Sequence, residues 1–110
     1  MPDDYEYPCV WKTEKKLRSI PHALEVYKLD NYTYPSTEQG LTALLEKTIM
    51  EPIPKNWRPG AYLRTKAVDQ WGRKIIYKLN IRDFTLESYG EDGKVGGTGC
   101  DQNLLHRHEF

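Results

Sequence analysis

The sequence predicts an α+β fold, with an N-terminal helix laid on a small antiparallel sheet, a second short helix, and a long glycine-rich loop near the C-terminus. Three observations carry this reading. Leu17, Ile20, Leu24 and Tyr27 recur at helical spacing and mark one apolar face. Residues 74–79 (KIIYKL) and 83–89 (DFTLESY) read as strands. The first is rich in β-branched residues, and the second alternates Phe84, Leu86 and Ser88 against Thr85, Glu87 and Tyr89. Only Asn80–Arg82 separates the two, which is short enough for a hairpin.

The elements follow in order. A helical pattern runs from Trp11 to about Asp30, with Pro21 inside it. Proline in a helix interior costs ~3 kcal/mol, because it removes a donor and crowds the preceding turn. The helix is therefore expected over residues 20–29, either capped at Ser19 or reached through a bent segment before it. Pro35 stops regular structure, and Ser36 with Gln39 three residues on forms a capping box worth ~1 kcal/mol. That predicts a second helix over 36–47 with Leu41, Leu44 and Leu45 inward. Gly40 costs such a helix ~1 kcal/mol relative to Ala and suggests a close neighbour above it. Residues 48–60 carry Pro52, Pro54 and Pro59 and cannot be regular. Trp57 is the expected anchor of that loop. Asp69–Gly72 reads as a turn with Trp71 packed beneath it.

Composition narrows the function. At 110 residues the chain is read as one domain, residues 1–110, with one modest core. Its 16 basic and 16 acidic side chains cancel, so no long-range field draws nucleic acid or an anionic membrane. Eight Tyr and three Trp supply large contact areas that suit a thin sheet on a helix. No stretch approaches the ~20 apolar residues that span a bilayer, and MPDDYEYPC is too polar for a signal peptide. The chain is expected to be soluble. Cys9 and Cys100 lie near opposite ends. A disulfide between them would contribute ~4 kcal/mol on the chain-entropy model, and two buried thiols are equally compatible with the sequence.

The polar chemistry concentrates between Gly90 and Asn103. Glu91, Asp92, Asp101 and Asn103 stand among five glycines that permit sharp turns. A hard cation such as Ca²⁺ takes six to eight oxygens from carboxylates, amides and carbonyls on loops of this kind. The spacing is not that of an EF-hand, and composition alone gives a solvated glycine-rich turn. His106 and His108 raise a transition-metal site, but a frayed, solvated C-terminus is the expected state of the last residues. A nucleophile–base pair from Cys9 or Cys100 with His22 has no local support. The aromatic residues lack a basic groove for nucleic acid, and Lys12, Lys15, Lys16 and Arg18 read as a solvated helix face. No catalytic residue is assigned, so the chain is read as a non-enzyme.

One set of motifs goes further. Tyr27–Asn31 is followed by Tyr34-Pro35-Ser36-Thr37-Glu38-Gln39-Gly40-Leu41, and then by Pro54-Lys55-Asn56-Trp57 and Pro59-Gly60-Ala61-Tyr62-Leu63. Asp69-Gln70-Trp71-Gly72, Ser88–Lys94 and Gly96-Gly97 continue the series. In this order, over roughly residues 17–103, the blocks resemble the major pseudopilin of bacterial type II secretion systems. The resemblance implies a pilin-like fold and a structural subunit of a periplasmic fibre. Such a fibre self-associates with other pseudopilins on the secretion system's inner-membrane platform and supports export of folded proteins across the outer membrane. It also implies a structural Ca²⁺ in the glycine-rich loop. Carried over by position, the metal residues are Asp92, Asp101, Asn103 and Tyr89, the last through its carbonyl. The family's apolar N-terminal helix and prepilin cleavage site are not in this chain, so a membrane would be met only through such a segment. After Gly99 the family's acidic run becomes Cys100-Asp101-Gln102-Asn103, which replaces a carboxylate with an amide. The alternative is a soluble pilin-like adaptor that does not polymerise.

Overall fold

The computed structural model describes residues 8–90, 93–94 and 103–110, side chains of residues 8–10 excepted. One helix, α1 (Pro8–Asn31), crosses a three-stranded antiparallel sheet. The strands are β1 (Ile76–Leu79), β2 (Asp83–Ser88) and β3 (Leu104–Glu109), in the order β1-β2-β3. Among the described residues no helix is long and apolar enough to cross a membrane.

α1 is longer than expected, because it runs through Pro21 without ending. Tertiary contacts on the upstream half offset the lost backbone bond. Leu17 and Ile20 are buried in the core before the proline, as Leu24 and Tyr27 are after it. The fully buried Thr13 accepts the backbone N–H of Gln70 at 3.2 Å, and Lys16 reaches the Thr65 hydroxyl. The helix ends at Tyr32, a non-glycine residue at φ 71°, whose N–H caps the Lys28 carbonyl at 2.7 Å.

The expected second helix is reduced to fragments. The capping box closes as predicted: the Gln39 N–H donates to Ser36 Oγ at 3.0 Å, and the Ser36 N–H donates to Gln39 Oε1 at 2.8 Å. Yet the helix is broken at once, since Gly40 sits at φ 66°, ψ −171°, and only a 3₁₀ turn over Leu41–Leu44 follows. Leu41, Ala43 and Leu44 still enter the core. A Cβ on Gly40 would have as its nearest neighbour the Thr37 carbonyl oxygen, at an ordinary 3.8 Å, so close packing is not why glycine stands here; the left-handed backbone is. Gly40→Ala is therefore expected to destabilise by about 1–2 kcal/mol in denaturant titration, where the same change in a regular helix would stabilise. The Gln39 amide has a further use: its Nε2 donates to the carbonyls of Met50 and Pro52 at 2.7 and 2.8 Å, fixing the proline-rich loop. Trp57 anchors that loop as expected, its Nε1 donating to the Ala43 carbonyl at 2.9 Å.

The hairpin forms where predicted, with slightly shorter strands, and the Asn80 N–H closes it onto the Asp83 carbonyl at 2.8 Å. Phe84, Leu86 and Ser88 are the buried face of β2, so the alternation in the sequence is a true face. The expected frayed tail is instead β3. Its six residues pair along the whole of β2, from Asp83↔Glu109 to Ser88↔Leu104. Burial drives this. Phe84 and Leu86 are fully buried, and β3 with the residue after it supplies cover on that side: His108 stacks on Phe84 at 4.9 Å, and Phe110 stacks on Tyr34 at 4.8 Å.

Candidate functional site

The glycine-rich loop leaves and returns at one end of the sheet. β2 ends at Ser88, β3 starts at Leu104, and these residues are ladder partners. Tyr89 and Asn103 are thus the two roots of the loop, both half-buried. Two of the four expected metal residues are brought to one place. Asp92, Asp101 and Cys100 lie outside the described residues, as does the Cys9 side chain, so the other two expected metal residues and the expected Cys9–Cys100 disulfide fall there too.

The first root is clamped by a residue that the sequence places in a turn and not at this loop. Asp69 is buried, and its carboxylate serves two segments at once. Oδ1 accepts the N–H groups of Trp71 and Arg73, each at 3.0 Å, which folds the 69–73 turn. Oδ2 accepts the Ser88 hydroxyl at 2.9 Å, which ties that turn to the end of β2. Ser88 Oγ in turn accepts the Gly90 N–H at 3.4 Å. A second strap runs beside it: Arg73 Nη1 donates to the Gly90 carbonyl at 3.3 Å. The Arg73 side chain also lies over Gly93, where a Cβ would meet Nε at 2.5 Å and force the guanidinium to shift, and the backbone there is at φ 68°, which favours glycine. The expected turn at Asp69–Gly72 was legible as an acidic residue leading into Trp-Gly. Its tie to Ser88, 19 positions away, left no local signal.

A second polar knot explains the motif blocks around α1. Asn31 donates from Nδ2 to the Tyr27 carbonyl and to the Tyr62 hydroxyl, both at 3.1 Å, and its Oδ1 accepts the Asn56 N–H at 2.8 Å. The Tyr62 hydroxyl donates to Asp30 Oδ2 at 2.8 Å. Arg58 forks onto the same carboxylate at 3.1 and 3.3 Å. The Tyr62 hydrogen bond, and after it the Arg58 guanidinium, holds the Asp30 carboxyl below the usual carboxylate range. The Tyr62 ring meets Tyr27 edge-on at 5.3 Å and Trp57 at 5.8 Å. Three short sequence blocks, with Arg58 between the last two, thereby become one staple between the end of α1 and the proline-rich loop.

Among the described residues no group of three or more His, Cys, Asp or Glu side chains is placed to share a metal. His108 meets Glu25, at 3.1 Å, and not a nucleophile. The donors the sequence offers at the loop, two carboxylates, an amide and a carbonyl, are all oxygens and so fit a hard cation rather than a soft one.

A single helix on a small antiparallel sheet, with this loop at its end, is a pilin-like architecture. The major pseudopilin from the type 2 secretion system of enterohaemorrhagic Escherichia coli shares it, with a TM-score of 0.74 and 30% identity, over 89% of this chain and 85% of that one. The sequence model of "Type II secretion system (T2SS), protein G" matches residues 6–107, and the chain belongs to that family. The type II secretion system core protein G of Pseudomonas aeruginosa is 44% identical over 90 residues, covering 80% of this chain and 63% of the relative. That of Vibrio cholerae is 43% identical over 91 residues, covering 78% and 60%. The chain thus spans roughly three-fifths of the length of these curated relatives. Their names are those of secretion-apparatus components, and none is the name of an enzyme.

Proposed function

We propose that the chain is a structural subunit of a type II secretion pseudopilus. It works in the periplasm, assembles with other pseudopilins on the inner-membrane platform, and supports export of folded proteins across the outer membrane. The observation that supports this best is the match to a pseudopilin over nearly the whole chain, in a body whose α1 end and proline-rich loop are knitted into one staple. A fibre subunit needs a rigid body, and the staple and the Asp69 clamp supply rigidity at both ends of the sheet's helix-packed core.

The loop completes the body. Asp92, Asp101, Asn103 and the Tyr89 carbonyl would hold Ca²⁺, and the ion would cross-link a glycine-rich segment whose first root is already fixed. Glycine-rich chain loses much entropy on ordering and buries little apolar surface, so an external cross-link is needed to keep it in one shape.

The function is tested by exchange. Residues 6–107 replace the matching region of the Pseudomonas aeruginosa relative, in a strain lacking that relative. The expected result is restored secretion and recovery of the chimera in sheared fibres. A folded chimera that restores neither, and stays monomeric, would replace the fibre role with the adaptor reading.

A further inference from the structure

The last strand carries two histidines on its buried side. His106 and His108 pair in register with Leu86 and Phe84, the fully buried residues of β2. Their environments differ. His108 lies parallel to the Phe84 ring, and its Nε2 reaches Glu25 Oε1 on α1 at 3.1 Å. The same Glu25 oxygen accepts the Tyr34 hydroxyl at 2.5 Å. His106 has no such partner: its Nε2 is buried and makes no hydrogen bond.

We propose that β3 is a pH-sensitive latch, closed on α1 and β2 near neutrality and loosened in mild acid by protonation of His106. A proton on His106 Nε2 would be a buried donor with no acceptor, beside His108 on the same strand face. The charged groups around it do not compensate. Glu14 and Arg18 of α1 line the same shallow cavity as His106 and are opposite in sign. Glu25 is already engaged by Tyr34 and His108. Lys28 of α1 lies over the Tyr34 and Phe110 rings and adds positive charge. Arg107 is matched to Asp83 of β2 and to Glu109. Consistent with this, burial, and secondarily His108, hold the His106 imidazole below its ordinary range.

The sign follows from linkage. A histidine whose folded-state affinity for protons is depressed gives stability that is present above its unfolded pKa of about 6.5 and is lost as pH falls below it. Asp30 and Asp83, both held below the carboxylate range, act in a different window, below about pH 4. Between pH 7 and pH 5 a histidine that stayed neutral in the closed state would raise the open population by at most roughly 25-fold.

Hydrogen exchange of the β3 amides, corrected for intrinsic rates and read at pH 7 and pH 5, tests the latch. The wild type should show an increase in β3 opening of at least about fivefold and within that ceiling, with little change in the Ile76–Leu79 pairing. His106→Leu and His106→Gln, each verified by its melting curve, should reduce the increase to less than about threefold. An unchanged increase in whichever of these variants folds would overturn the proposal. So would a wild type whose β3 opening does not respond to pH, or one in which β1 opens equally.

Discussion

Replacing Asp69 with alanine is expected to destabilise the protein by about 3–5 kcal/mol, a large share of the 5–15 kcal/mol typical of a folded domain. The change strands three donors at once: the N–H groups of Trp71 and Arg73 and the hydroxyl of Ser88. Each was satisfied by a buried carboxylate, and an unsatisfied buried donor costs about 1–3 kcal/mol. Partial access to water lowers the sum below simple addition. Asp69→Asn keeps the volume and one acceptor oxygen, so its cost should be about half as large. Urea titration measures both. The effect should also be directional, with the amides of Tyr89 and Gly90 exchanging faster than those of β1, because the loop's first root hangs on Ser88. A loss below about 1 kcal/mol for the alanine variant would mean that the clamp does not hold the root.

Calcium is expected to raise the melting temperature by on the order of 10 °C. An ion at a hundred times its dissociation constant contributes about 2.7 kcal/mol if it binds only the folded state. For a chain of this size each kcal/mol moves the midpoint by roughly 4 °C. EDTA should reverse the shift. Asp92→Ala and Asp101→Ala should each abolish most of it, because removing one charged ligand from a loop with few carboxylates lowers affinity steeply. Asn103→Asp should strengthen the response, since it adds a negative charge next to the cation. Magnesium should substitute poorly, as it demands a tighter octahedral shell than a glycine-rich loop offers.

The parts of the fold that could be read from the sequence are those set by local periodicity. The apolar face of α1, the alternation in β2 and the hairpin between Asn80 and Asp83 depend on residues within a few positions of one another. The Ser36–Gln39 box was legible for the same reason, down to both of its hydrogen bonds. The helix it was expected to start was not built, because the Gly40 backbone overrides a cap that is worth about 1 kcal/mol. Pro21 misled in the other direction. Its local penalty is real, but contacts from Thr13, Lys16 and Leu17 hold the turn before it.

β3 was missed because LLHRHEF alternates only weakly, and its histidines read as polar. They become core-facing only when stacked on Phe84 and set beside Leu86, which is a non-local fact. The candidate site divides in the same way. The glycine-rich loop and its oxygen donors were visible as composition. The Asp69–Ser88 tie and the Arg73 strap were not, since each joins residues 17 or 19 positions apart through side chains that are individually ordinary. The motif blocks lay between these cases: their order identified a family, while their physical role emerged only when Asn31, Asn56 and Tyr62 met.

On the proposed function, packing makes the body rigid and calcium binding would make the glycine-rich loop rigid. Hydrogen exchange of residues 89–103 with and without calcium tests this most directly. With calcium, the amides beyond Gly90 should gain at least tenfold protection, while those of α1 and of β1 paired with β2 change little. Equal protection of the loop in EDTA and in calcium would contradict it.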